Sequence, residues 1–288
     1  MNTLKRAFDF YINASIHVAL AVCALVGITA WELNFEVSYY LLGFVFFGSI
    51  SGYNFVKYAK VAGLHHRSLT RSLKLVQLFS FISLGGFVFC AFQLSLAVFY
   101  MAAIFGGLTF LYAVPFSRRR NLRAFSGVKI FVVALVWAGV TVFIPWSFTT
   151  GVQALDIGLT FFQRFLIIIV CTLPFEIRDL PYDAASLRTL PQQFGIKRVK
   201  LFGASLLVVA SLLELFKSEL LPSHALSLWF TCLLILLLLL VATKNQGKYF
   251  ASFWVEAIPL FWCGLFLSLT MLFITLIQYK VQKKGCRF

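Results

Sequence analysis

Nine apolar runs, near residues 10 to 31, 37 to 56, 75 to 92, 95 to 114, 127 to 146, 158 to 175, 199 to 216, 224 to 243 and 249 to 279, dictate what this chain can fold into. Most approach the roughly 20 residues that a helix needs to cross hydrocarbon. Hydrophobic residues make up 61% of the chain and charged residues only 12%, with a mean hydropathy of +0.91. An ordinary water-soluble globule, in which about a quarter of residues are charged, is excluded. The expectation is an all-α, polytopic membrane bundle of about nine transmembrane helices. Because no stretch is rich enough in Ser, Gly or Pro to be a linker, residues 1–288 read as a single integral membrane domain.

Basic residues in short loops stay on the cytoplasmic side. With a cytoplasmic amino terminus, that side collects Lys5, Arg6, Lys57, Lys60, Arg118, Lys129, Arg178, Arg188, Lys248 and others, nineteen of the 25 basic residues. The remainder are Arg164, Lys217 and the cluster Lys280, Lys283, Lys284 and Arg287, which nine spans would place outside. The expected location is a multi-pass protein of the plasma (inner) membrane. The net charge of +15 is spread over loops between spans, so anionic lipid headgroups explain it and nucleic acid is not an expected partner. Lys5 and Arg6 ahead of an apolar run could mark a signal peptide, but the run is long and carries Asn13, Ser15 and His17, which favours a first transmembrane helix. Cys23, Cys90, Cys171 and Cys232 sit inside apolar runs and no C-x-x-C pair occurs, so the cysteines suggest neither zinc nor a disulfide framework.

Charge is costly in such a chain and marks function. Three of its ten carboxylates and two of its arginines fall in Glu176-Ile-Arg-Asp179-Leu-Pro-Tyr-Asp183-Ala-Ala-Ser-Leu-Arg188. An aspartate pair beside arginines suits Mg²⁺ held against a diphosphate, because hard oxygen ligands share the ion with phosphate oxygens. The competing reading is a pair of loop carboxylates bridged to Arg178 and Arg188. Pro181 disfavours a continuous helix through the motif.

Asp179-Leu-Pro-Tyr-Asp183, followed by Arg188-Thr-Leu-Pro191 and Gly195, resembles the second aspartate motif of the UbiA superfamily of intramembrane prenyltransferases. Leu111-Tyr112-Ala-Val-Pro115, the basic run Arg118 to Arg120, Lys129 and Trp137-Ala-Gly-Val-Thr141 are further points of similarity. The family's first motif, N-D-x-x-D, would fall at Asn54-Phe-Val-Lys57-Tyr58, where only the asparagine is kept and no acidic residue lies between Glu36 and Asp156. The resemblance implies a UbiA-like bundle that transfers a prenyl group from an allylic (poly)prenyl diphosphate to an aromatic or lipid acceptor. It implies Asp179 and Asp183 as catalytic Mg²⁺ ligands, with Asn54, Lys57, Arg118, Arg178 and Arg188 on the diphosphate and Tyr112 orienting it. Metal and cations would stabilise the leaving group, and Lys57 would stand in for the missing second ion.

Loss of the first motif also supports a catalytically inactive UbiA-like protein that binds a lipid or a membrane partner. A secondary transporter is a third class, suggested by Glu256 early in the last apolar run. Glu256 reads either as a functional carboxylate or as a structural one. His17 reads as a helix-helix hydrogen bond or as a cavity contact.

Overall fold

The computed structural model describes residues 3–62, 71–114, 127–149, 151–183 and 187–285. They form ten α-helices and no strand: α1 Thr3–Asn13, α2 Ile16–Glu32, α3 Tyr39–Ala62, α4 Arg71–Ala91, α5 Leu96–Ala113, α6 Lys129–Trp146, α7 Ala154–Asp179, α8 Leu190–Leu213, α9 Pro222–Val241 and α10 Ile258–Gly285. A π-helical turn, Phe250–Val255, precedes α10. Among the described residues seven helices, α4 to α10, are long and apolar enough to cross a membrane, and α1 with α2 adds an eighth if the bent pair is one span. α3 has 24 residues, about 36 Å of helix, but Gly48, Ser49, Ser51, Gly52 and Tyr53 dilute its apolar character. All five line an internal cavity, so the polar composition faces the bundle and not lipid.

The first apolar run is broken. α1 and α2 meet at 53°, and Ser15 at the break takes φ 62°, a left-handed conformation that costs most L-residues energy. Asn54 holds it there. Its Nδ2 donates to the Ala14 carbonyl at 3.1 Å and to Ser80 Oγ at 2.8 Å, while Ser15 Oγ donates to Asn54 Oδ1 at 2.8 Å.

α2 is apolar on all sides, the pattern of a helix enclosed by others. Ala19, Ala21, Leu25, Val26, Ile28 and Ala30 are buried, and the helix packs against α3, α6 and α10. Small side chains at these contacts let neighbouring backbones approach closely, which is how helices associate where lipid removes the usual hydrophobic drive. Leu25 and Ile28 belong to a core shared with α6 to α10, Val22 and Val26 to a second core with α3 to α6, so α2 contributes to both. Phe81, Ile82 and Phe89 on α4, Phe92 just after it, and Tyr100 and Ile104 on α5 are exposed, as expected of faces turned to lipid.

α7 ends at Asp179, just before Pro181, as the proline predicts. α8 starts at Leu190, well before the apolar run at 199. Thr189 N–H donates to Gln192 Oε1 at 2.9 Å, and Pro191 occupies the first turn, where its missing N–H costs nothing. Gly195 then breaks the helical path at φ 78°, a value suited to glycine.

At one end of the bundle, where α2 finishes and α7 begins, a buried ionic cluster forms. Lys217 Nζ pairs with Glu32 and, at 2.7 Å, with Glu214. His224 Nδ1 lies 2.7 Å from Glu214, and its Nε2 is 3.7 Å from Glu32. Arg164, 1% exposed, donates to the Leu25 carbonyl at 3.1 Å and stacks 4.9 Å over the Trp262 ring. Burial opposes the charge of Lys217, yet the carboxylates of Glu32 and Glu214 outweigh it and raise its pKa above the ordinary lysine value.

Candidate functional site

At the other end, about 25 Å away along the 17 residues of α2, a cavity of about 920 Å³ opens between α3, α5, α6, α7 and the π-helical turn. Its inner wall is apolar. Phe44, Phe87, Phe105, Trp137, Val140 and Ile144 line it, and Gly139 on α6 makes room for the Phe105 ring, which a Cβ there would meet at 2.0 Å. Its outer part is charged. Lys57 comes from the last turns of α3, Lys129 from the start of α6, Glu176, Arg178 and Asp179 from the end of α7, Glu256 from the turn before α10, and Asp9 and Lys248 from the rim.

Four acidic and four basic side chains therefore line the cavity among the described residues, and six of the eight are paired. Lys129 meets Glu176 at 2.7 Å. Arg178 grips Asp179 with two hydrogen bonds, 2.7 Å from Nε and 3.2 Å from its terminal nitrogen. Lys248 reaches Asp9 at 2.6 Å, and the Tyr249 hydroxyl donates to the same carboxylate at 2.8 Å. The hydrogen bond to Asp9 lifts the Lys248 pKa above its ordinary value. Lys57 donates to Ser15 Oγ at 3.1 Å and, among the described residues, has no carboxylate within 4 Å. Glu256 makes no hydrogen bond or ion pair through its side chain among the described residues. A cavity with apolar depth and a few convergent polar groups is the usual form of a small-molecule site.

The fold matches a solved structure of digeranylgeranylglyceryl phosphate synthase in membranes, with a TM-score of 0.57 over 92% of this chain and 98% of that chain. The fold is UbiA-like. At 17% identity the likeness is one of fold. Neither a protein-family model nor a curated protein sequence matches the chain.

The structure brings some of the expected residues together and separates others. Lys57, Tyr112, Arg178 and Asp179 line the cavity. Asn54 does not: it is 2% exposed and engaged with Ala14, Ser15 and Ser80, where it fixes the break in the first span. Asp183 and Arg188 line a second depression with Gln192 and Gln193, and the Asp183 N–H donates to the Asp179 carbonyl at 2.9 Å, one helical turn away. Arg118 lies outside the described residues, as do Arg119, Arg120 and the His65-His66 pair. His17 accepts or donates between Tyr11 at 2.7 Å and the Phe253 carbonyl at 3.0 Å, the helix-helix reading.

The described carboxylates do not by themselves complete a Mg²⁺ site. Asp179 is the single aspartate of the pair facing the cavity, and both of its oxygens are taken by Arg178. Asp183 keeps one buried carboxylate oxygen without a hydrogen-bond partner. Among the described residues no group of three or more His, Cys, Asp or Glu side chains could hold a metal ion. Glu176 and Lys129 are among the cavity residues to which the sequence reading gave no site role. Glu176, three positions before Asp179, shares its helical face, and that spacing was the available signal.

Proposed function

We propose that the chain binds a prenyl diphosphate in this cavity and transfers the prenyl group to a hydrophobic acceptor. One observation carries the reading: a roughly 920 Å³ apolar hollow capped by Lys57, Lys129 and Arg178, inside a fold shared with a membrane prenyltransferase. The hydrocarbon chain lies along Phe44, Phe87 and Phe105, and the diphosphate meets the cations at the outer end. Lys57, uncommitted to any carboxylate, takes phosphate oxygens as a point charge. As the C–O bond to diphosphate breaks, positive charge grows on the allylic carbon, and the faces of Tyr53, Trp137 and Phe105 stabilise it through their quadrupoles. The cationic end stabilises the departing diphosphate, the charge that develops in the transition state. Mg²⁺ is proposed as an assay requirement carried in with the diphosphate, and no step above depends on it. The proposed orientation puts the cavity mouth and the amino terminus in the cytoplasm of a plasma-membrane protein.

The test is pyrophosphate release by purified protein in lipid nanodiscs, with and without Mg²⁺, from a panel of allylic diphosphates that includes geranylgeranyl diphosphate. Release that falls in Lys57→Ala, which removes the ammonium that meets the phosphate oxygens in this reading, supports transfer. A second reading, lipid binding without turnover, is favoured by the engagement of both Asp179 oxygens with Arg178. Saturable binding of the same diphosphates with no release from any donor selects it.

A further inference from the structure

Glu256 is the carboxylate in the cavity that the reading above leaves unused. It follows a π-helical turn, Phe250–Val255, in which the Glu256 N–H donates to the Ala251 carbonyl at 3.2 Å. One extra residue in a helical turn re-aims the side chains around it, and such turns gather at functional sites. The turn is braced: His17 bonds the Phe253 carbonyl at 3.0 Å and stacks on the Phe253 ring, and Tyr11 holds the far side of His17 at 2.7 Å. The result places Glu256 on the cavity surface, deeper in the bundle than the exposed rim pair of Asp9 and Lys248.

The charged and titratable groups that act on it from the packed elements are Tyr11 on α1, Tyr53 and Lys57 on α3 and Arg178 on α7. Arg178 is committed to Asp179, and Lys57 faces Glu256 without pairing to it. An ionisable group kept in a membrane protein without a partner is expensive, and structure alone gives no return for it here. Two opposite charges that line one cavity without pairing are suited to a reaction that separates charge, one receiving an anion and the other a proton.

We propose that Glu256 is the catalytic base for an acceptor that reacts through a hydroxyl group. The acceptor oxygen forms a bond to the first prenyl carbon. The bond from that carbon to the diphosphate oxygen breaks, and its electron pair leaves with pyrophosphate toward Lys57. The hydroxyl proton passes to the Glu256 carboxylate. The inference rests on the prenyl-transfer reading and adds to it the acceptor class, an alcohol or phenol, with water as the simplest member.

The experiment uses the full chain in nanodiscs with geranylgeranyl diphosphate and, as hydroxyl donors, water, dodecanol and dodecylphenol. Donor affinity is measured separately by binding, and thermal unfolding confirms that each variant is folded. Glu256→Gln should leave donor affinity unchanged, lower pyrophosphate release about 100-fold and abolish the fall in rate toward acid pH. Glu256→Asp should recover part of the rate. An unchanged rate in Glu256→Gln overturns the base and leaves prenyl transfer standing. A rate loss matched by an equal loss of donor affinity also overturns it, assigning Glu256 to the donor. Binding without release in the unaltered protein overturns both the base and the transferase reading.

Discussion

The two polar ends of this bundle solve opposite problems. At one, Glu32, Glu214, Lys217 and His224 close on one another inside the protein, with side chains no more than 8% exposed. At the other, six charges pair at the cavity surface while Lys57 and Glu256 do not. The difference separates charges kept for architecture from charges kept for a ligand. A fully buried pair loses hydration that its partner must replace, and removing one member leaves the other stranded. A charge at an open cavity keeps water until a ligand displaces it.

The contrast can be broken by experiment, beginning with the largest effect. Lys217→Ala should destabilise the fold by about 3–5 kcal/mol, since two buried carboxylates lose their cation, read as a lowered thermal midpoint in nanodiscs. Replacing Glu32, Glu214 and Lys217 together by apolar residues of similar size should recover much of that loss. Asn54→Ala should cost about 1–3 kcal/mol through unsatisfied partners at the Ser15 break, with donor binding unchanged; lost binding at normal stability would return Asn54 to the site. Lys57→Ala should leave the thermal midpoint unaltered but weaken geranylgeranyl diphosphate binding about ten-fold, the equivalent of one charge-assisted hydrogen bond. If stability falls instead, Lys57 belongs with the architectural charges. Last and smallest, the stabilisation from Lys217 should not change between pH 7 and 9. Its pKa is raised in the folded state, so its contribution is complete below the unfolded lysine value and declines only as pH climbs through the folded one.

Much of the fold was legible because hydrocarbon imposes a length on every helix that crosses it. Each of the nine apolar runs coincides with a helix from α2 to α10. The break at Ser15 was not, since Asn13 and Ser15 signal a weak point but the bend is held by Asn54, 39 residues away. The start of α8 was hidden by its polar first turns, where Gln192, Gln193 and Lys197 mask a helix that capping begins at Thr189. In the site, Asp179, Arg178, Lys57 and Tyr112 were readable as charge or aromatic groups near the ends of spans. Which of them meet was not, because Lys129 with Glu176 and Asp9 with Lys248 are tertiary pairings that no local spacing encodes. The turn at Leu180 to Tyr182, closed by the Asp183 N–H on the Asp179 carbonyl at 2.9 Å, is a geometry that the spacing of the two aspartates does not fix by itself.

The rim of the hollow is sewn from the first helix to the last. Asp9 ties to Lys248, Phe8 lies edge-on to Tyr249 and Phe253, and His17 reaches Phe253. A ribosome delivers Asp9 and Lys248 239 positions apart, so during insertion the greasy chamber stays unroofed until its final segment arrives. A polypeptide stopped short of Lys248 would expose that chamber to the bilayer, giving quality-control proteases a direct mark of an unfinished chain.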